Sequence, residues 1–143
     1  MIASLETVIA GQRQNRFKSK GEEKIANYLD LTKIRYQYEP AVIIESQARK
    51  PRIWYPDFYL PEFKTYIEYY GMAGNQKYDQ GIRSKTQAYQ KSGFDVIPFY
   101  PWMFAKDWNG YLKRELKRSV IRCYRSFAAK PYRTRPGRYS HRR

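Results

Sequence analysis

The spacing of apolar and polar positions along the chain predicts three helices. In residues 19–32 Ser19 is followed three residues later by Glu22, a capping-box pattern typical of a helix start. Residues 76–92 have a second helical pattern that Gly93 would end at the C-cap, and residues 107–127 have a third, amphipathic one. The apolar stripes are Ile25, Tyr28, Leu29 and Thr32 in the first helix, Tyr78, Ile82, Lys85 and Tyr89 in the second, and Trp108, Leu112, Leu116, Val120 and Tyr124 in the third.

Short apolar runs between these helices predict strands. Residues 34–44 are rich in β-formers, and the polar stretch ESQARKPR that follows is typical of a hairpin connection. The runs IWYPDFYL and TYIEYYG come next, joined by a tight turn at residues 61–64, and FDVIPFY is typical of a buried strand. The resulting order αβββαβα predicts an α/β protein with a central mixed sheet flanked by helices.

The net positive charge of the chain indicates which kind of molecule it binds. The 143 residues include 28 Lys and Arg against 13 Asp and Glu, a formal net charge of +15, which favours nucleic acid or an anionic membrane. Residues 111–143 hold 12 of the cations and one acid, Glu115. We therefore divide the chain into an N-terminal arm (1–16), a globular core (17–106), a basic amphipathic helix (107–128) and a basic tail (129–143) that should be disordered when free.

The basic helix and the tail supply the candidate nucleic-acid contacts. Side chains that would face phosphates are Lys113, Arg114, Lys117 and Arg118 on the helix, and Arg133, Arg135 and Arg138 in the tail. A run of four cations is also compatible with an ordinary solvated helix face. A membrane-surface role for this helix is the poorer choice once the acidic residues below are considered.

Missing residue types exclude several kinds of chemistry. The chain has one Cys, Cys123, and one His, His141, so an internal disulfide, a cysteine zinc cluster and a histidine-dependent site are not expected. It has no glycine-rich phosphate loop, no apolar run near the ~20 residues of a membrane span, and no signal-peptide pattern. We expect an intracellular, cytoplasmic protein with no small-molecule cofactor, whose chemistry would use carboxylates, Lys, Arg, Tyr or a hard metal ion.

Two acidic residues lie inside apolar runs. Asp57 and Glu68 are eleven positions apart, each with aromatic or aliphatic neighbours, and a hairpin would place them side by side. Burying such charges is costly unless they are paired or bind a cation, and two close carboxylates suit Mg²⁺. Taken alone, Asp57 would be interpreted as a turn or cap residue at a strand end, and Glu68 as a solvated residue on an edge strand. Glu22 could add a third ligand, or serve only in the capping box.

This pattern of residues resembles the PD-(D/E)XK nuclease superfamily. A helix Glu, then the segment PDFYLP and then IEYYG occur in the order found in phage junction resolvases of the endonuclease I type and in nuclease domains appended to helicases. The resemblance covers residues 17–100 and implies a restriction-endonuclease-like core. It also implies that Asp57, Glu68 and Glu22 are the catalytic acids that bind Mg²⁺ or Mn²⁺.

One position departs from the family pattern. The superfamily has Lys two residues after the second acid, where this chain has Tyr70, and a phenol brings no positive charge. Lys85, on the apolar stripe of the second helix, is the first candidate to assist the attacking water in place of that Lys, because its long stem could deliver an ammonium to the site. Tyr70, whose phenol can donate a hydrogen bond, is the second candidate for this catalytic role. The alternative is that Lys85 turns outward to solvent.

The resemblance implies a metal-dependent DNA endonuclease that hydrolyses phosphodiester bonds. Its similarity to junction resolvases further implies branched or recombining DNA as substrate, and a homodimer able to cut two strands. Two alternatives remain open. One is a catalytically degenerate nuclease fold that acts as a nucleic-acid-binding or architectural subunit, and the other is a site-specific endonuclease of restriction or homing type.

Overall fold

The three predicted helices are present with boundaries close to those expected. The computed structural model describes residues 16–45 and 50–129, and helix α1 spans Lys20–Leu31. Ser19 is its N-cap, and the Ser19 Oγ accepts a hydrogen bond from the Glu22 amide at 3.1 Å. Thr32 lies at the C-cap of α1 and is exposed, so the predicted stripe of α1 ends one turn earlier than expected.

Helices α2 and α3 also begin at capping side chains. Helix α2 (Gln76–Lys91) has Asn75 as N-cap, and Gly93 follows its end with a φ of +76°, a left-handed conformation that glycine adopts without strain. Helix α3 (Trp108–Ala128) has Asp107 as N-cap. A 3₁₀ helix, Pro101–Ala105, precedes α3.

The strands are shorter and more numerous than predicted. There are six: β1 (Gln37–Tyr38), β2 (Val42–Ile44), β3 (Arg52–Trp54), β4 (Phe58–Leu60), β5 (Thr65–Tyr69) and β6 (Val96–Phe99). The runs 34–44 and 53–60, each predicted as one strand, are split near Pro40 and Pro56, because proline cannot donate a hydrogen bond to a neighbouring strand. Glu39 strengthens the first break with a φ of +49°.

The split strands build two sheets where one was expected. The main sheet has the order β1-β4-β5-β6, with antiparallel pairs except for the parallel pair β5–β6, and is therefore mixed. Strands β2 and β3 form a separate antiparallel pair, which we call the small sheet. Its strands flank the predicted hairpin connection, of which residues 46–49 lie outside the described part of the chain.

The main sheet lies between two layers, as expected for an α/β protein. Helices α1 and α3 cover one face, where they form a cluster with alternate sheet residues. Helix α2 and the small sheet cover the other face. Because side chains alternate along a strand, Ile67 of β5 faces the α1 layer while Tyr66 faces the α2 layer. The buried members of the first cluster are Ile25, Ala26, Leu29, Phe58, Leu60, Ile67, Ile97, Phe99, Leu112 and Leu116.

The second half of the α3 stripe is exposed, contrary to expectation. Leu112 and Leu116 are buried, but Val120 and Tyr124 are 47% and 74% exposed. A 21-residue helix is ~30 Å long, whereas a five-residue strand covers only ~17 Å, so α3 extends past the sheet that buries its first half. Within the described residues, no helix is both long and apolar enough to cross a membrane.

The two chain ends are mostly outside the described residues. The predicted N-terminal arm is represented only by Arg16, and the predicted basic tail only by Ala129.

Candidate active site

The hairpin formed by β4 and β5 brings the two predicted acids together. Phe58 pairs with Ile67, so Asp57 and Glu68 occupy the next pair of facing positions. Asp57 lies just before β4, where its Oδ2 accepts a hydrogen bond from the Tyr69 amide at 2.6 Å. The tight turn predicted at 61–64 sets this register, with the Phe63 amide bonded to the Leu60 carbonyl at 3.1 Å.

Both carboxyl groups are in a setting that disfavours negative charge. Glu68 is only 4% exposed, and burial raises its pKa although the Lys85 ammonium opposes the shift. Burial raises the pKa of Asp57 to about 7, and the charge of Glu68 adds to that rise. Negative charge on both carboxylates at once is therefore unfavourable, and a cation bound at Asp57 would lower that cost, as the Lys85 ammonium already does at Glu68.

Helix α2 supplies two hydrogen-bond donors to Glu68. The Lys85 Nζ forms an ion pair with Glu68 Oε1, so its ammonium points to the predicted site and not outward to solvent. The Tyr89 hydroxyl donates to Glu68 Oε2 at 3.1 Å. The sequence predicts Tyr89 only as a member of the apolar stripe of α2. Its position one helical turn after Lys85 is the feature of the sequence that could have indicated that both side chains contact the same acid.

Tyr70 lies beside the site but cannot provide the charge of a lysine. Its side chain is 3% exposed, and its ring stacks on Tyr100 with 5.6 Å between centroids. Burial and then the charge of Glu68 raise the pKa of the Tyr70 hydroxyl, so it remains neutral near pH 7. Among the described residues, Lys85 is thus the cation that contacts Glu68.

Glu22 is near the pair but is held by other groups. The charge of Glu22 raises the pKa of both Asp57 and Glu68, which places the three carboxylates in one electrostatic neighbourhood. However, its Oε1 accepts from Ser19 Oγ at 2.8 Å, and its Oε2 accepts from the Tyr38 hydroxyl and the Lys18 amide. In the described part of the chain, no three His, Cys, Asp or Glu side chains are arranged to hold one metal ion.

The acid pair still suits a magnesium or manganese ion. Mg²⁺ is commonly held by one or two protein carboxylates, with waters and substrate phosphates completing its coordination. Asp57 Oδ2 is engaged by a backbone amide, while Oδ1 has no hydrogen bond from a described residue. Asp57 and Glu68 are therefore the residues that would hold the ion.

The predicted nucleic-acid contacts on α3 are exposed but lie away from the acid pair. Lys113, Arg114, Lys117 and Arg118 are on the solvent side of α3, whose buried side packs on the α1 face of the sheet. Lys85 and the small sheet lie on the other face. Arg118 also pairs with Glu115. The remaining candidates, Arg133, Arg135 and Arg138, are outside the described residues.

Comparison with known proteins identifies no relative. No model of a protein family matches the chain, and neither curated proteins nor solved structures give a match.

Proposed function

We propose that this protein is a metal-dependent endodeoxyribonuclease with a restriction-endonuclease-like core. The observation that carries the proposal is the close pair of carboxylates, with Glu68 buried on β5 and Asp57 partly buried opposite it, just before β4, and with the Lys85 ammonium bonded to Glu68. A net charge of +15 agrees with a polyanionic substrate. Branched or recombining DNA and a homodimer remain part of the proposal through the resemblance alone.

Each residue of the site has a distinct task in this proposal. Mg²⁺ or Mn²⁺, when bound, would activate a water molecule and stabilise negative charge on the phosphate. Asp57 and Glu68 hold the ion, and the Tyr69 amide and the Tyr89 hydroxyl keep their carboxylates in place. Lys85 donates to Glu68 and brings a positive charge to the point where phosphate oxygens would enter.

A cleavage assay on several DNA forms tests the proposal. Linear duplex, single-stranded, flapped and four-way DNA are each incubated with the full-length protein and Mg²⁺, and in parallel with EDTA. We expect cleavage only with the metal ion, and we expect Asp57→Ala and Glu68→Ala to abolish it while DNA binding is retained or slightly strengthened. Removing an acid also removes repulsion of phosphate.

Asp30→Asn is the matched control for these variants. Asp30 is an exposed acid of α1 that forms no side-chain ion pair with a described residue, so the substitution removes one charge without touching the acid pair. We expect it to cleave like the parent protein. Cleavage that continues in EDTA, or in both alanine variants, would contradict the proposal.

A non-catalytic DNA-binding subunit is the second candidate. Two observations favour it: Tyr70 stands where the superfamily has Lys, and Glu22 is engaged by Ser19, Tyr38 and Lys18. Under this candidate the protein would bind DNA in Mg²⁺ and in EDTA and cleave none of the four substrates.

A further inference from the structure

Two grooves flank helix α2, and both are lined by Lys85, which pairs with Glu68. The first, of about 470 Å³, lies between α2 and the small sheet, and the second, of about 570 Å³, lies on the opposite side of α2. Both are within the range of ~300–1,000 Å³ that is usual for ligand pockets. Gly81 and Lys85 line both grooves, so the two grooves meet at these residues.

The surface of α2 at Gly81, where the two grooves meet, is open. It lies in the interior of α2, where glycine costs helix stability compared with alanine. A Cβ atom at this position would meet no atom within 4 Å. The helix therefore has a shallow notch at Gly81, one turn before Lys85, over which an extended chain could pass.

The first groove combines an aromatic ring with positive charge. Trp54 of the small sheet is half-buried and lines it, and Arg52, Lys85 and Lys91 line it as well. Glu45 is the one acid among the described lining residues. Proteins that bind unpaired nucleic acid use this combination, because bases stack on aromatic rings while cations contact the backbone phosphates.

The second groove, on the other side of α2, also combines aromatic side chains with a cation. Its lining includes Tyr78 and Lys77, together with Tyr70 and Met72. A strand that passes over Gly81 would thus meet an aromatic residue and a cation on either side of the helix.

Two contacts link the first groove to Glu68 of the acid pair. The Trp54 ring packs edge-to-face on Tyr89 with 5.3 Å between centroids, and Lys85 Nζ lies 5.9 Å from the centre of the Trp54 ring. Tyr89 and Lys85 are the two residues that donate to Glu68. A base resting on Trp54 would therefore belong to a nucleotide close to the phosphate at the acid pair.

We propose that the two grooves form one path across α2 for an unpaired DNA strand. The preferred substrate is then DNA with a single-stranded segment beside the phosphate that is cut. A fully paired duplex keeps its bases stacked inside the helix and cannot offer one to Trp54. The cleavage part of this inference rests on the proposed nuclease function, but strand binding can be measured without cleavage.

Substitutions at Gly81 test whether the path holds a strand. Gly81→Phe would place a ring in the notch, whereas Gly81→Ala adds one methyl group, and both residues have a better helix propensity than glycine. Binding of full-length protein to a labelled oligothymidylate and to a duplex of equal length is measured in EDTA. We expect Gly81→Phe to weaken oligothymidylate binding about tenfold or more, the scale of one lost stacked base, with little effect on the duplex.

The alanine variant is the control for this experiment. We expect Gly81→Ala to bind both DNAs within about twofold of the parent protein, and thermal unfolding checks that both variants are folded. Equal oligothymidylate binding by Gly81→Phe and Gly81→Ala would overturn the proposed path, as would an equal loss on duplex and oligothymidylate.

A pair of charge reversals tests the cations of the groove separately. One double variant, Arg52→Glu with Lys91→Glu, reverses the charge of two exposed residues of the first groove. The control double variant, Lys113→Glu with Lys117→Glu, changes the net charge by the same amount on α3. We expect the groove pair to lower the ratio of oligothymidylate to duplex affinity at least about fivefold, and the α3 pair to lower both affinities alike. Equal effects of the two pairs on the ratio would overturn the inference.

Trp54→Leu tests the stacking contact. Leucine keeps an apolar side chain against Tyr89 but removes the flat ring, so we expect a loss for oligothymidylate of about tenfold with no loss for the duplex. Unchanged binding would overturn the role of Trp54. Failure of the nuclease proposal would be distinct, since DNA would stay intact in Mg²⁺ while the preference for oligothymidylate persisted in EDTA.

Discussion

Replacing Asp57 by Asn should stabilise the metal-free protein at alkaline pH. The Tyr69 amide donates to the Asp57 carboxylate, and an Asn side-chain oxygen can accept the same hydrogen bond. The substitution therefore keeps the contact and removes the charge. It thereby removes the free-energy cost of holding an ionised carboxylate in a partly buried position next to Glu68.

The size and the pH window of this effect follow from the pKa of Asp57. Folding raises that pKa from 3.8 to about 7, so below pH 3.8 the group is protonated in both states and has no effect. As the pH rises from 4 to 7, the unfolded chain releases a proton that the native state retains, and the free energy of unfolding falls. Above pH 7 the cost is complete and amounts to at most about 4 kcal/mol, at ~1.4 kcal/mol per pKa unit.

Thermal unfolding in EDTA at pH 8 and pH 4 measures the effect. We expect Asp57→Asn to melt up to about 10 °C above the parent protein at pH 8, and close to it at pH 4. Adding Mg²⁺ at pH 8 should stabilise the parent by about 2.7 kcal/mol at 100 times its dissociation constant, but should stabilise Asp57→Asn much less. Asp30→Asn, which removes an exposed acid, should respond to pH and Mg²⁺ like the parent.

Two results would refute this reasoning. If Asp57→Asn were no more stable than the parent at pH 8, the carboxylate would not be under the electrostatic cost that its burial and Glu68 impose. If Mg²⁺ stabilised the parent and Asp57→Asn equally, Asp57 would not be a ligand. Neither result depends on DNA cleavage, so the metal site is tested apart from the nuclease activity.

Three further predictions concern the catalytic cation, the tail and the packing under the site. Lys85→Ala should lower the cleavage rate by ~10²–10³, the scale of one lost charged contact to the transition state, whereas Tyr70→Phe should lower it much less. If single-turnover rates showed a large loss for Tyr70→Phe and none for Lys85→Ala, Tyr70 would be the residue that assists the attacking water. Deleting residues 130–143 should reduce the slope of log K against log salt for duplex DNA by several units, and an unchanged slope would mean that the tail makes no phosphate contacts. Gly21→Ala should lower the free energy of unfolding by about 1–3 kcal/mol in denaturant titrations, because a Cβ there would lie 2.2 Å from the Tyr69 ring, and an unchanged stability would show that the ring moves freely.

The helix boundaries could be predicted from the sequence because they depend on local interactions. Ser19 and Gly93 act within a few residues of the helix ends they define, and the 61–64 turn sets the β4–β5 register within the same short distance. The pairing of Asp57 with Glu68 follows from that turn. The mixed α/β class could be predicted for the same reason, since it depends on the order of these local elements.

Contacts between distant segments were decided only by the tertiary structure. The hydrogen bond from Tyr89 to Glu68 spans 21 residues and depends on how α2 packs against β5. The division into a main sheet and a small sheet, and with it the groove beside Trp54, depends on which strand each short segment pairs with. The exposure of the C-terminal half of α3 depends on where the sheet ends. Val120 continues the apolar pattern of the helix, but it can be buried only if another element covers it. The pattern of one helix contains no information about how far the neighbouring sheet extends.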